Sequence, residues 1–157
     1  MMNIKSKFKI FPVLLVVYIS VLPFLVVYLS AASPVAGLIL PVLFLAFIVF
    51  FWMTVFRTRA CEVEISDNVI IIKRYFGLGK SIDYDFDSLD GFITLFESSK
   101  GNVSESIFIL KNGKRVGSIS SFYHINFNQL KLVFKEKLID LGERESSFIK
   151  ENAELFR

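Results

Sequence analysis

The chain has 157 residues and a net charge of +3, and 54% of its residues are hydrophobic. This length accommodates about one domain, and a single cysteine and a single histidine exclude an intrachain disulfide framework and a cysteine–histidine zinc cluster. Residues 1–59 contain no acidic side chain, whereas the rest of the chain holds all 15 acidic residues and is mildly acidic, so we predict no nucleic-acid partner.

The first element is an apolar stretch, residues 10–56, that contains no charged side chain. A bilayer is crossed by about 20 apolar residues in one helix, so this stretch predicts two spans, residues 10–29 and 35–56, with a turn around Pro34. Basic residues flank both spans, and basic flanks stay in the cytoplasm. We therefore predict a multi-pass membrane protein with both termini cytoplasmic. The flanking basic residues are Lys5, Lys7, Lys9, Arg57 and Arg59.

A secretory signal is the alternative interpretation of the first span. It would be cleaved near residues 30–33 and would leave one span with an outward-facing domain. The apolar run is longer than the about 7–15 residues typical of a signal core, and a second apolar run follows at once. The two-span hairpin is therefore favoured.

A domain of short β-strands is predicted after residue 60. Apolar and polar residues alternate, which is typical of half-buried strands, and Asn112 with Gly113 is a strong hairpin signal. Regularly spaced strands, about six here, indicate a sandwich or barrel. The predicted strands are residues 61–66, 69–76, 80–86, 91–97, 104–111 and 114–120.

One amphipathic helix is predicted after the strands. Asn126 is expected to cap it with Gln129 as the reciprocal partner, its apolar stripe continues to Leu141, and Gly142 stops it. The charged tail, residues 143–157, extends the helix, docks on the domain or stays loose.

This order of elements resembles the pleckstrin-homology-like (PH-like) superfold, and the preceding hairpin resembles bacterial inner-membrane proteins that carry a cytoplasmic PH-like domain. The matching stretches are VEISDNVIIIKR at residues 63–74, FGLGK at 76–80, NGKR at 112–115 and the helix at 127–138. The resemblance covers most of the chain and implies an α+β protein: a transmembrane hairpin (1–59), then a PH-like antiparallel β-sandwich or partly open barrel closed by a C-terminal helix (60–142), then the tail (143–157).

The candidate binding residues are three cations, Lys73, Arg74 and Lys80, around the glycine-containing turn at residues 77–79. In eukaryotic PH domains, basic residues near the first hairpins bind phosphoinositide phosphates, which ionic hydrogen bonds favour. An ordinary charged hairpin is the competing interpretation.

No nucleophile–base pair or metal-ligand set is recognisable in the sequence, so we predict a non-enzyme without a cofactor. We expect a membrane-anchored scaffold or interaction module with a protein partner or a second copy of itself. Two other interpretations stay open: a sensor of anionic lipid headgroups, and an accessory subunit of a membrane enzyme or transporter.

Overall fold

The computed structural model describes residues 3–31, 39–99 and 102–145, so the predicted turn at Pro34 and most of the tail lie outside the described residues. The helical part comprises α1 (Ile10–Ala31), α2 (Ile39–Phe51), a π-helical turn (Trp52–Phe56) and α3 (Arg57–Arg59). Two helices are long and apolar enough to cross a bilayer: Ile10–Ala31 and Pro41–Arg59, with mean hydropathies of 2.8 and 1.9. Only 17% and 22% of an 18-residue apolar stretch in these helices are buried, whereas the core helix of a soluble protein is mostly buried.

A polar contact joins the middle of the first helix to the second helix. The indole Nε1 of Trp52 donates a hydrogen bond to Ser20 Oγ at 3.1 Å, and Ser20 Oγ donates to the carbonyl of Val16 at 2.8 Å. Such side-chain hydrogen bonds between helices stabilise pairs in lipid because hydrocarbon offers no other partner. Trp52 begins the π-helical turn, a feature that is frequent at functional sites.

The first sheet is antiparallel, in the order β1-β2-β3-β4. Its buried side chains alternate along β2 and β3, as expected for strands with one face in the core. The sequence did not predict β1, which precedes the two apolar helices and pairs with β2. The strands are β1 (Ile4–Lys5), β2 (Glu62–Ile65), β3 (Val69–Lys73) and β4 (Ser81–Asp85).

The second sheet has the order β7-β6-β5-β8, and β8 runs parallel to β5. Asn112 and Gly113 between β6 and β7 have φ angles of 52° and 69°, which confirms the predicted tight hairpin because a type I′ turn needs positive φ at both positions. A short 3₁₀ turn (Phe86–Ser88) links the sheets. The strands are β5 (Gly91–Ser99), β6 (Asn102–Lys111), β7 (Lys114–Ser120) and β8 (Asp140–Glu145).

The main core lies between the two sheets and α4 (Phe127–Lys137). The apolar stripe of α4 is buried at Phe127, Leu130, Val133 and Phe134, as its period predicts. A smaller cluster lies on the opposite face of the second sheet, because alternate residues of β5 and β6 point there. Its members are Ile93, Leu95, Phe108 and Leu110.

Three predictions about the domain are corrected. The helix ends at Lys137 rather than continuing to Leu141, because Leu138 adopts extended angles (φ −122°, ψ 152°) and the chain then forms β8. The predicted boundary at residue 142 therefore falls inside a strand. The second strand ends at Lys73 rather than residue 76. The described residues thus form an α+β fold with two four-stranded sheets that do not close into a barrel.

Candidate functional site

Aromatic side chains join the helices to the sheet domain in a region that we call the junction: Phe8, Trp52, Phe56, Tyr75, Phe76 and Tyr123. Trp52 stacks on Tyr75 with ring centroids 6.2 Å apart, and Phe56 lies 5.8 Å from Phe76. Phe76 also contacts Phe8 at 5.1 Å and Tyr123 at 5.9 Å. Because rings from before, within and after the apolar region meet here, the junction fixes the domain against the helix ends.

The turn at residues 74–79 adopts a strained backbone to reach the junction. Tyr75 and Phe76 have φ angles of 55° and 56°, a left-handed conformation that costs a non-glycine residue about 1–2 kcal/mol. The amide of Phe76 donates to the carbonyl of Ala60 at 2.7 Å, and aromatic pairs contribute about 0.5–1.5 kcal/mol each beyond burial. The aromatic contacts with the helix end offset the strain and explain why β3 stops at Lys73.

The N-terminal segment, residues 3–9, is fastened to the domain along its length. Ile4 pairs with Ile65 of β2, and Ser6 Oγ accepts the amide of Val63 at 2.8 Å. The amide of Lys9 donates to the carbonyl of Tyr123 at 2.7 Å. The chain entering the first helix is therefore part of the domain's structure.

Asn126 binds this segment instead of completing the predicted capping box. It occupies the N-cap position of α4, but its side chain makes no capping hydrogen bond. Its Oδ1 accepts the amide of Lys7 at 2.9 Å, and its Nδ2 donates to the carbonyl of Lys5 at 2.9 Å. The prediction of a reciprocal bond with Gln129 is wrong because a backbone from the distant N-terminus takes the same side-chain atoms.

The predicted binding cations occupy different environments around the turn. Lys73 lies 3.6 Å from Glu62, which also pairs with Lys5 at 3.1 Å. Arg74 is half-buried and Lys80 is exposed. Leu78, between them, is 81% exposed. The turn thus presents an apolar tip with basic neighbours beside the helix ends.

The predicted membrane-flanking cations lie before the first apolar helix and at the end of the second. Lys9 Nζ donates to the carbonyl of Ser121 at 2.7 Å, and Lys7 is exposed. Arg59 pairs with Glu97 of β5, and Arg57 is half-buried. Three of the five flanking cations, Lys5, Lys9 and Arg59, therefore also hold the domain in place through their side chains.

His124 and Cys61 lie buried behind the junction. His124 Nε2 is 2.9 Å from the carbonyl of Cys61, and Nδ1 accepts the amide of Ser120 at 3.1 Å. The neutral imidazole with its proton on Nε2 satisfies both contacts. Burial lowers the pKa of His124 below its ordinary value despite these hydrogen bonds, and burial raises the pKa of the Cys61 thiol. Both groups therefore stay uncharged at neutral pH and act as structural connections.

A cavity of about 400 Å³ opens beside the junction, between the end of the second span and the second sheet. Burial raises the pKa of Tyr123 in its wall, where the charges of Arg59 and Glu97 act in opposite directions. The described residues that line it are Phe51, Val55, Arg59, Glu97, Ser104, Ser120, Phe122 and Tyr123.

Sequence reasoning missed Glu62, Glu97 and Tyr123, because each acts through residues far away in the chain. The neighbouring pair Tyr75 and Phe76 was the available signal, since two large aromatics within a basic turn need a surface to cover them. In the part of the chain that the structure describes, no three His, Cys, Asp or Glu side chains group as a metal site. Comparison with protein-family models, curated proteins and solved structures gave no match.

Proposed function

We propose that this protein is a membrane-anchored, non-catalytic interaction module of the inner membrane. Its two apolar helices cross the bilayer, and both termini and the sheet domain face the cytoplasm. The observation that carries the proposal is the attachment of the domain at both ends of the hairpin, through β1 before the first helix and the aromatic rings at Trp52 and Phe56 after the second. A domain held at two points presents one fixed surface to the cytoplasm.

A PH-like ancestry for the domain is part of this proposal. Antiparallel strands followed by a single amphipathic helix support it, with the core between two sheets and α4. The added strands β1 and β8 are departures from that pattern. The superfold carries many unrelated functions, so the argument for binding rests on the edges of the sheets.

The outer edge of β4 is the proposed partner-binding edge. Like β1, β7 and β8, the other outermost strands of the described sheets, β4 pairs on one side alone, with β3. The amide of Phe86 donates to the carbonyl of Asn68, and because hydrogen-bonding direction alternates along an antiparallel pair, the backbone groups of Asp83 face outward. An extended peptide adds to such an edge through main-chain hydrogen bonds.

Site-specific crosslinking in the full-length protein tests this edge. A photocrosslinking residue in place of Ile82, which is 40% exposed, should give a discrete adduct in cells. Asp83→Pro removes one outward amide and should abolish the adduct, because proline at an edge costs a ladder bond without breaking the sheet. Asp83→Ala, the matched control, should retain it. An adduct that survives Asp83→Pro would refute strand addition. If the same photocrosslinking residue gives an adduct on the apolar helices and none in place of Ile82, an accessory subunit is favoured.

Contact with anionic lipid headgroups is a second candidate function, favoured by the exposed Leu78 between Arg74 and Lys80. Basic residues near an anionic surface contribute about 1 kcal/mol each. An environment-sensitive dye on Leu78→Cys should emit at shorter wavelength in vesicles containing phosphatidylglycerol than in phosphatidylcholine alone; Cys61 is buried and will not be labelled. Changing Lys73, Arg74 and Lys80 to Ala should remove the difference. Equal emission in both vesicles contradicts this function.

A further inference from the structure

The cavity beside the junction lies along the C-terminal end of the second apolar helix, which the proposed function places at the membrane surface. Phe51 and Arg59 both line it, and they are eight residues apart on a continuous helical segment, which corresponds to about 12 Å along the helix axis at 1.5 Å per residue. Arg59 is the last residue of the second apolar helix, so the cavity runs about 12 Å along the C-terminal end of that helix, from the apolar Phe51 to the charged Arg59. A molecule that fills it must be polar at one end and apolar at the other.

The side chains that line the cavity also change from apolar at one end to polar at the other. Phe51 and Val55, on the membrane helix, form its apolar end. The pair Arg59 and Glu97 forms the polar end, and their side chains are 16% and 29% exposed. Hydroxyl groups accompany the ion pair and supply neutral hydrogen-bonding partners. They belong to Ser104, Ser120 and Tyr123.

Opposite charges side by side distinguish this cavity from an anion site. An arginine binds a phosphate through charge-assisted hydrogen bonds, whereas a carboxylate next to it repels an anionic headgroup and attracts an ammonium. Aromatic faces such as those of Phe122 and Tyr123 also attract alkylammonium groups. A phosphate linked to an ammonium by a short chain satisfies both charges at once.

We propose that the cavity binds a phospholipid with a zwitterionic headgroup, its phosphate on Arg59, its ammonium on Glu97 and one acyl chain along Phe51 and Val55. The cavity is large enough for a headgroup, since ligand sites measure about 300–1,000 Å³. This inference rests on the membrane location in the proposed function and is independent of the β4 edge. The lipid acts as a third component that seals the domain to the helix end.

Native mass spectrometry of the full-length protein from nanodiscs of equal phosphatidylethanolamine and phosphatidylglycerol tests the inference. The wild type should retain the zwitterionic lipid about tenfold over the anionic one, the ratio that a charge-assisted hydrogen bond provides. Glu97→Gln removes the carboxylate charge that attracts the ammonium and repels an anionic headgroup, and it should reverse the preference towards phosphatidylglycerol. Glu136→Gln, on the exposed face of α4, should leave the wild-type ratio unchanged.

A cavity-filling variant gives an independent readout. Ser104→Trp should reduce retention of both lipid classes at least tenfold, whereas Ser81→Trp on the exposed strand β4 should not. Equal retention of the two lipids by the wild type, or retention that Ser104→Trp does not reduce, overturns the inference even if Glu97→Gln fails to fold. Failure of the Asp83→Pro crosslinking test changes neither lipid readout, so the two proposals fail separately.

Discussion

Removal of the Ser6 hydroxyl tests the attachment of the N-terminal segment to the domain. Ser6 is 4% exposed, its Oγ accepts the amide of Val63 at 2.8 Å, and its own amide donates to the carbonyl of Val63 at 2.7 Å. Ser6→Ala keeps the second bond but leaves the amide of Val63, a fully buried residue, without that acceptor. An unsatisfied buried donor costs about 1–3 kcal/mol, so the free energy of unfolding should fall by that amount.

Hydrogen–deuterium exchange of the full-length protein in micelles measures the effect where it arises. If the loss appears as local opening, exchange in residues 3–9 and β2 should accelerate about 5- to 150-fold, the equivalent of 1–3 kcal/mol. Ser81→Ala removes an exposed hydroxyl and should change stability by no more than about 0.5 kcal/mol. Unchanged exchange in residues 3–9 of Ser6→Ala would refute the attachment.

Further predictions concern the buried interior. Burial lowers the pKa of His124, so below about pH 6.5, the ordinary histidine pKa, the unfolded chain binds more protons than the folded chain. The free energy of unfolding from urea titrations should therefore decrease from that pH down to the lowered pKa. His124→Gln should lack this decrease. A Cβ on Gly91, at φ 139°, would lie 2.2 Å from the carbonyl oxygen of Ile139. Gly91→Ala should therefore lower the free energy of unfolding by about 1–3 kcal/mol and accelerate hydrogen exchange in β8. Unaltered exchange in β8 would contradict the close approach. Phe134→Ala should lower the free energy of unfolding from urea titrations by about 3–5 kcal/mol. Leu132→Ala, at a side chain that is 69% exposed, should change it little. Equal losses in the two variants would refute the orientation of α4.

Local patterns predicted the elements whose stability is decided locally. The alternation in β2 and the Asn112–Gly113 turn matched the structure because side-chain period and backbone angles are properties of neighbouring residues. The apolar stripe of α4 was likewise readable from its spacing. The two long apolar helices followed from composition alone.

Pairing between residues that are far apart in the chain determines the features that the sequence did not predict. Leu138 and Leu141 fit a helical period, yet the chain leaves the helix after Lys137 because the carbonyl of Ile139 accepts the amide of Phe92 at 2.9 Å. Residues 4 and 5 form a strand because β2, which follows the two apolar helices in the chain, offers them an unpaired edge. Neither partner is visible within a window of neighbouring residues, since edge pairing depends on the folded sheet.

The candidate site was predictable at the level of residue type but not of grouping. Lys73, Arg74 and Lys80 were recognised as a basic turn, but the sequence did not predict that Glu62 forms ion pairs with both Lys73 and Lys5. The Arg59–Glu97 pair joins the second apolar helix to a strand of the domain, and neither residue predicts the other from the sequence. The cavity follows from that packing.

Labelling with an impermeant maleimide tests the central claim, a bilayer-spanning hairpin with its domain on the cytoplasmic side. Lys114→Cys places a thiol at the exposed tip between β6 and β7, while Cys61 stays buried. The account predicts labelling of carbonate-washed inside-out vesicles and none of intact cells. Labelling of intact cells, or loss of the protein from the washed membranes, would contradict it.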